Sequence, residues 1–103
     1  MNIIIEKIRP IAKLRMLLAE MEGELGLHNL SPSERDVLYA FISETSGIDG
    51  SVSTSDIRES LILRDMSDPT MYRNILSLME RGVLSLAPGR RRGAYVIGEL
   101  DLS

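Results

Sequence analysis

Apolar residues recur at steps of three and four in the first quarter of the chain, which is the spacing of one helix face. Between residues 11 and 25 this stripe consists of Ile11, Leu14, Leu18, Met21 and Leu25. Pro10 suits the first turn of a helix, but Ile4 and Ile8 continue the same spacing backwards. The helix therefore either begins at Pro10 or runs through it with a kink, and Gly26 is a suitable stop.

The stripe carries more apolar surface than a single contact face on a small domain requires, because Met16 and Leu17 widen it. We expect residues 1–29 to be a dimerisation element, in which the stripe packs against a second copy of the chain. The alternative is that this helix folds back onto its own domain.

Two further helices begin with residues that cap helices well. Ser31 is placed as an N-cap, with Pro32 in the first turn and Glu34 three residues after the cap. The Glu34 side chain can then return a hydrogen bond to the Ser31 N–H. Ser53 and Asp56 repeat this spacing. Each pair predicts a helix start, and residues 46–51 form a polar loop between the two helices.

The apolar positions after these caps predict three packed helices. The buried face of the first consists of Val37, Leu38, Phe41 and Ile42, and that of the second of Ile57, Leu61 and Leu63. After a link at residues 64–66, a third helix is predicted over residues 67–81, with Ser67 as its N-cap. Its inner face consists of Met71, Ile75 and Leu78, which leaves Thr70, Tyr72, Arg73, Asn74 and Ser77 outside.

A hairpin follows Gly82, because residues 83–86 and 94–97 are short runs of strand character. The segment that joins them, residues 87–93, carries Arg90, Arg91 and Arg92. A turn that only had to be soluble would not need three consecutive arginines. The pattern as a whole predicts a mainly α fold with a small β-hairpin, of the α+β class, in which an extra N-terminal helix precedes a three-helix core.

The formal charge of −3, from 12 Lys plus Arg and 15 Asp plus Glu, would by itself argue against a nucleic-acid partner. The charge is unevenly distributed, however. Residues 31–66 carry a net −4, whereas residues 67–98 carry a net +3 whose basic groups are all arginines. Because the planar arginine fork suits phosphate oxygens and guanine edges, the third helix and the hairpin form a candidate nucleic-acid surface.

Several classes of protein are disfavoured by the sequence. There is no cysteine, and the longest apolar run, residues 37–42, is far shorter than the roughly 18–20 residues that a membrane span needs. Charged residues interrupt the N-terminus before it could serve as a secretory signal, so we expect a cytoplasmic protein. The one histidine, His28, has no second imidazole or thiol to pair with, and we expect neither an enzyme nor a metal or other cofactor.

The order helix, helix, tight turn, helix, strand, basic loop and strand resembles the winged helix-turn-helix domain, most closely that of the MarR-type transcription regulators. The likeness covers residues 30–98 and is carried by segments 30–34, 53–57 with Leu61, 67–73 and 78–84. It implies that the third helix enters the major groove and that the hairpin, or wing, meets the DNA backbone or minor groove. The implied DNA contacts are Ser67, Asp68, Pro69, Thr70, Tyr72, Arg73 and Asn74 on the helix and Arg90, Arg91 and Arg92 at the wing tip.

Three of these positions have alternative roles. Asp68 departs from what a phosphate-binding helix needs, since a carboxylate repels phosphate. It either caps the helix or accepts a hydrogen bond from a cytosine amino group. Tyr72 either faces DNA or packs on the wing, and Arg73 either contacts DNA or pairs with Asp68 or Asp65.

The sequence thus predicts a small regulator that binds double-stranded DNA sequence-specifically as a homodimer, with repression favoured over activation. MarR-type regulators also dimerise through long C-terminal helices, near which their ligand pockets lie. Here the tail is residues 99–103, so we expect no small-molecule effector. The alternative is a winged-helix module that binds another protein, a role that the acidic segment 31–66 would suit.

Overall fold

The computed structural model describes residues 2–45, 50–89 and 93–98. They belong to two compact units, and along the sequence the boundary between them falls between Leu30 and Ser31. The first unit contains helix α1 (Ile3–Glu24) and a 3₁₀ turn (Leu27–Asn29). The second contains α2 (Pro32–Ser43), β1 (Val52–Ser53), α3 (Thr54–Arg58), a 3₁₀ turn (Leu61–Leu63), α4 (Asp68–Glu80), β2 (Leu84–Leu86) and β3 (Ala94–Ile97). The chain is therefore mainly helical with a small antiparallel sheet, which confirms the predicted α+β class.

Helix α1 runs through Pro10 rather than beginning there, which decides between the two alternatives that the spacing left open. Asn2 is the N-cap, and its side chain accepts a hydrogen bond from the Ile4 N–H at 2.9 Å. The helix ends at Glu24, and Gly26 follows with a φ of 77°. Among the described residues, no helix is both long and apolar enough to cross a membrane.

Both predicted capping boxes of the second unit are confirmed. The Glu34 carboxylate accepts from the Ser31 N–H at 2.8 Å, while the Glu34 N–H donates to the Ser31 hydroxyl at 3.2 Å. The same exchange joins Ser53 and Asp56, with both distances at 3.1 Å. Each box satisfies two backbone N–H donors that a helix start would otherwise leave without a partner, so the two boxes define where α2 and α3 begin.

The core of the second unit lies where α2 packs against α4 and against the 3₁₀ turn that precedes it. Its fully buried side chains include Val37, Leu38, Phe41, Ile57, Leu63, Met71, Ile75, Leu78, Val83 and Leu84. Phe41 also meets Tyr95 of β3 edge to face, with ring centroids 5.7 Å apart. This aromatic contact fastens the sheet to the helical core.

The sheet has three strands in the order β1-β3-β2, whereas the sequence pattern predicted a two-stranded hairpin. β3 pairs with β2 as expected, but it also pairs with β1, where Val52 is opposite Tyr95 and Ser53 is opposite Ala94. The pairing continues into α3, because the Thr54 N–H donates to the Gly93 carbonyl at 2.9 Å. The two residues of β1 are too few to produce an alternating pattern, which is why they escaped prediction.

Helix α3 is shorter than predicted, since its α-helical part ends at Arg58 instead of continuing through Leu61. Ser60 adopts an extended conformation, and its hydroxyl accepts from the Ile62 N–H at 3.2 Å, which starts the 3₁₀ turn. As a result Leu63 is buried as predicted, but Leu61 is 80% exposed.

Two glycines connect α4 to the sheet. Gly82 closes the helix with a φ of 78°, a conformation that other residues rarely adopt. At the end of β3, the Gly98 N–H donates to the Val83 carbonyl at 2.7 Å. A Cβ on Gly98 would lie 2.4 Å from the Gly82 carbonyl oxygen, so only glycine allows this close approach of the two backbones.

The carboxylate of Glu34 joins the beginning of α2 to the end of α4. Besides the Ser31 N–H, it accepts hydrogen bonds from the Ser77 hydroxyl and from Arg81 Nε, the latter at 3.0 Å. Burial alone would raise the pKa of Glu34, but the hydrogen bonds from Ser77, Ser31 and Arg81, together with the charge of Arg81, hold that pKa below its ordinary value.

Glu34→Gln is expected to reduce the free energy of unfolding by about 1–3 kcal/mol near pH 7, because the amide cannot replace the charged acceptor. A lowered pKa in the folded state stabilises the fold above the ordinary glutamate pKa, and this contribution is lost as the pH falls through the folded-state pKa. Urea unfolding from about pH 7 to about pH 3.5 should therefore show the difference between wild type and Glu34→Gln shrinking with acid. Glu80→Gln, on the exposed side of α4, is the control, and a difference that stays constant with pH would contradict this role of Glu34.

Candidate nucleic-acid interface

Ser67 sets the beginning of α4 and was correctly predicted as its N-cap. Its hydroxyl oxygen accepts from the Thr70 N–H at 3.3 Å and donates to the Thr70 hydroxyl at 3.0 Å. Pro69 lies in the first turn, where a missing N–H removes no helical hydrogen bond. The first turn of α4 is thus rigid, and Ser67, Asp68 and Pro69 are all exposed at its surface.

Asn74 is buried, so its predicted place on the outer face is wrong. Its side chain is only 8% exposed and bridges two helices, since its Oδ1 accepts from Ser33 Oγ at 3.3 Å and its Nδ2 donates to the Thr70 carbonyl at 2.9 Å. The helical spacing agrees with the burial of Asn74, because Asn74 follows the buried Met71 by three residues and precedes the buried Leu78 by four. Its polar character disguised an inward position.

Ser77 also turns away from the outer face that the sequence pattern assigned to it, because it is half-buried and donates to Glu34. The exposed face of α4, which we call the outer face, consists of Pro69, Tyr72, Arg73, Leu76 and Glu80. Leu76 is 60% exposed and was not among the predicted site residues. Its exposed position could have been predicted from its spacing. Leu76 lies three residues after Arg73 and four after Tyr72, which places all three on one side of the helix.

Arg73 is exposed, and its side chain makes no hydrogen bond or ion pair with any other residue that the structure describes. The neighbouring arginines differ from it in this respect: Arg81 is bound to Glu34, and Arg58 is bound to Asp68. Pairing of Arg73 with Asp68, one of the alternatives considered above, is not found. The outer face therefore presents one free guanidinium near its centre.

Asp68 pairs with an arginine of the preceding helix, an arrangement that neither sequence-based alternative included. Arg58 Nη1 donates to Asp68 Oδ1 at 2.8 Å, and Arg58 Nη2 donates to the carbonyls of Leu63 and Met66, the latter at 2.9 Å. Asp68 is the first residue of α4, while Ser67 is its cap. One guanidinium thus joins α3, the connecting turn and the start of α4.

Tyr72 lines two cavities beside the outer face and is half-exposed. The smaller, of about 150 Å³, lies between α3 and α4, where Thr54, Ser55 and Arg58 also line it. The larger, of about 370 Å³, lies between Tyr72 and the start of β3, and Thr54 lines it as well. Tyr72 and Thr54 therefore line both cavities, and their hydroxyl groups lie beside the outer face.

The remaining predicted site residues lie elsewhere. Arg90, Arg91 and Arg92 lie outside the described residues. The predicted dimerisation stripe is exposed along α1, with exposed fractions of 63% for Ile11, 65% for Leu14, 41% for Leu18, 50% for Met21 and 65% for Leu25.

Comparisons with protein-family models, with curated proteins and with solved structures find no match to this chain. The geometry of the outer face and its surroundings is therefore the basis on which its function is inferred.

Arg58→Ala is expected to lower the free energy of unfolding by about 1–3 kcal/mol, because it leaves the carbonyls of Leu63 and Met66 without their charged donor. Asp68→Ala should cost less than about 1 kcal/mol, since Asp68 is 69% exposed and water screens its ion pair with Arg58. Urea unfolding of both variants measures the difference. Equal losses of unfolding free energy in the two variants would mean that the ion pair is the stabilising contact, and not the hydrogen bonds from Arg58 to the carbonyls of Leu63 and Met66.

Proposed function

We propose that this chain is a cytoplasmic regulator that binds double-stranded DNA sequence-specifically, and that its second unit is a winged helix-turn-helix domain similar to that of MarR-type regulators. On this proposal α3, the turn and α4 are the helix-turn-helix, and β2 and β3 form the wing. The observation that carries the proposal is Arg73, whose side chain has no partner within residues 2–45, 50–89 and 93–98 and lies on the exposed face of a helix whose other face is anchored.

The outer face of α4 has the properties that base recognition needs. The major groove admits an α-helix, and an arginine fork matches the O6 and N7 acceptors of guanine. Arg73, which has no side-chain partner among the described residues, can make this contact. At the helix start, the Thr70 hydroxyl accepts from Ser67 and keeps its own hydrogen to donate to a nearby phosphate. Asp68 does not oppose this, because Arg58 offsets its charge.

For the wing, support for DNA binding comes from the sequence alone. Arg90, Arg91 and Arg92 follow directly on the described part of the hairpin. Three adjacent cations at a wing tip would contact backbone phosphates or a narrow minor groove, which attracts arginine. Such contacts position the protein on DNA and add affinity for every sequence, whereas α4 would supply the discrimination.

The second candidate function is a protein-docking module. The observation that favours it is the exposed apolar pair Leu61 and Ile62 in the turn before α4, with exposed fractions of 80% and 42%. A partner that bound there would have no use for a free Arg73 on the outer face. We therefore prefer DNA binding, and the selection experiment below separates the two functions.

The experiment is selection from a pool of random duplexes, made in parallel with wild type and Arg73→Ala. Wild type should enrich one motif, and Arg73→Ala should lose about 10- to 100-fold in discrimination between that motif and random DNA, the value of one bidentate base contact. Arg15→Ala, which removes an exposed arginine of α1, is the matched control and should enrich the wild-type motif.

Two outcomes would count against this assignment. If wild type enriches no motif, the docking function replaces DNA reading. If Arg73→Ala weakens binding to the motif and to random DNA equally, Arg73 contacts the backbone and does not read bases.

The exposed stripe on α1 supports the further proposal that the chain binds DNA as a homodimer. A helix with four large apolar side chains on one exposed face, followed directly by the exposed Leu25, loses solvent-exposed apolar surface by packing against a copy of itself. Two copies would present two α4 helices to the half-sites of a palindrome, and occupation of such a site would repress transcription.

Sedimentation should therefore show a dimer at micromolar concentration. The double variant Leu14→Asp with Leu18→Asp should sediment as a monomer, because it places carboxylates within the apolar contact. Lys13→Asp, which adds a carboxylate to the same helix outside the stripe, should remain dimeric. A wild-type monomer at these concentrations would rule out this role for α1.

A further inference from the structure

Leu76 stands out on the outer face because it is a large apolar side chain, 60% exposed, in the middle of the helix that we propose reads DNA. It follows Arg73 by three residues and Tyr72 by four, so the three side chains are neighbours on the helix surface. Further along the same side, Glu80 is exposed, and beside Leu76 the half-buried Ser77 is bound to Glu34. Leu76 is thus the one large aliphatic side chain of the outer face.

A protein partner is a poor match for the surroundings of Leu76, because protein-docking surfaces are contiguous apolar patches of several hundred Å². One leucine beside a free guanidinium matches a target that offers one small apolar group next to hydrogen-bond acceptors. The floor of the major groove offers this combination, since thymine carries a C5-methyl group there and guanine carries the O6 and N7 acceptors.

We propose that Leu76 determines specificity by packing against the C5-methyl group of a thymine in each half-site. The inference rests on the proposed function and adds a second base contact to the one proposed for Arg73. Three residues along a helix correspond to about 4.5 Å, and successive base pairs are about 3.4 Å apart. The thymine therefore lies within one or two base pairs of the base that Arg73 contacts.

The test replaces each thymine of the motif enriched by wild type with deoxyuridine, one position per half-site at a time. This change removes the methyl group and leaves base pairing intact. At one position near the Arg73 contact, wild type should bind about fourfold more weakly for each methyl group lost, the effect expected for one buried methyl.

Leu76→Ala should bind the thymine duplex about as weakly as wild type binds the deoxyuridine duplex, and the replacement should then cause no further loss. Leu76→Met, which keeps an apolar side chain, should retain the sensitivity. Leu61→Ala removes another exposed leucine of the same unit, outside α4, and should behave like wild type.

Three results would overturn the inference: a motif without thymine, a motif in which no thymine is sensitive to loss of its methyl group, or a sensitivity that persists unchanged in Leu76→Ala. All three leave DNA binding intact if discrimination still depends on Arg73. Failure to enrich any motif overturns the DNA-binding proposal and this inference together, so the two failures are distinguishable.

Discussion

The buried carboxylate of Glu34 is the contact on which the arrangement of the second unit depends. It caps the start of α2 through Ser31 and holds the end of α4 through Ser77 and Arg81. A buried charge is costly unless hydrogen bonds surround it, so the helices that supply those bonds must meet at this point. The same contact draws the half-buried Ser77 to the inner side of α4 and thereby contributes to which side of α4 remains exposed.

Two further sets of polar contacts hold α4 in the same orientation. Asn74 bonds to Ser33 near the middle of the helix, and Arg58 holds Asp68 at its beginning. Each of these contacts involves a polar or charged side chain, which residue type alone would place at the surface. Of the arginines on α3, on α4 and at the end of α4, Arg58 and Arg81 have structural partners, whereas the side chain of Arg73 has none among the described residues. The outer face is therefore defined as much by the polar contacts on the inner side as by the apolar core.

Much of the fold was predictable because short-range chemistry determines it. The two capping boxes and the N-cap Ser67 depend on residues three positions apart, and β2 and β3 are consecutive strands that pair across one connection. Two of the errors concern contacts between residues distant in sequence. The polar Asn74 was assigned to the surface because its partner Ser33 is 41 residues away, and the two residues of β1 were missed because only their pairing with the distant β3 marks them as a strand. A third error has a local cause. The early end of α3 was missed because the Ser60 hydroxyl competes for the backbone locally.

The candidate site was predicted in part for the same reason. Helical periodicity identified α4 and the exposed positions of Tyr72 and Arg73, but it could not show that Asp68 binds Arg58 instead of Arg73. Leu76 was overlooked because an apolar residue in a helix is usually assigned to the core. Its exposure becomes evident only when Met71, Ile75 and Leu78 are seen to fill the buried side.

The central claim is that the outer face of α4 is the surface that reads DNA, and mapping of amide chemical shifts by NMR tests it most directly. On addition of a duplex enriched from the random pool, the largest changes should fall in α4 between Asp68 and Leu76, with little change in α2. Changes centred on α2 or on the turn at Leu61 and Ile62, with α4 unaffected, would contradict the account and favour a protein-docking surface.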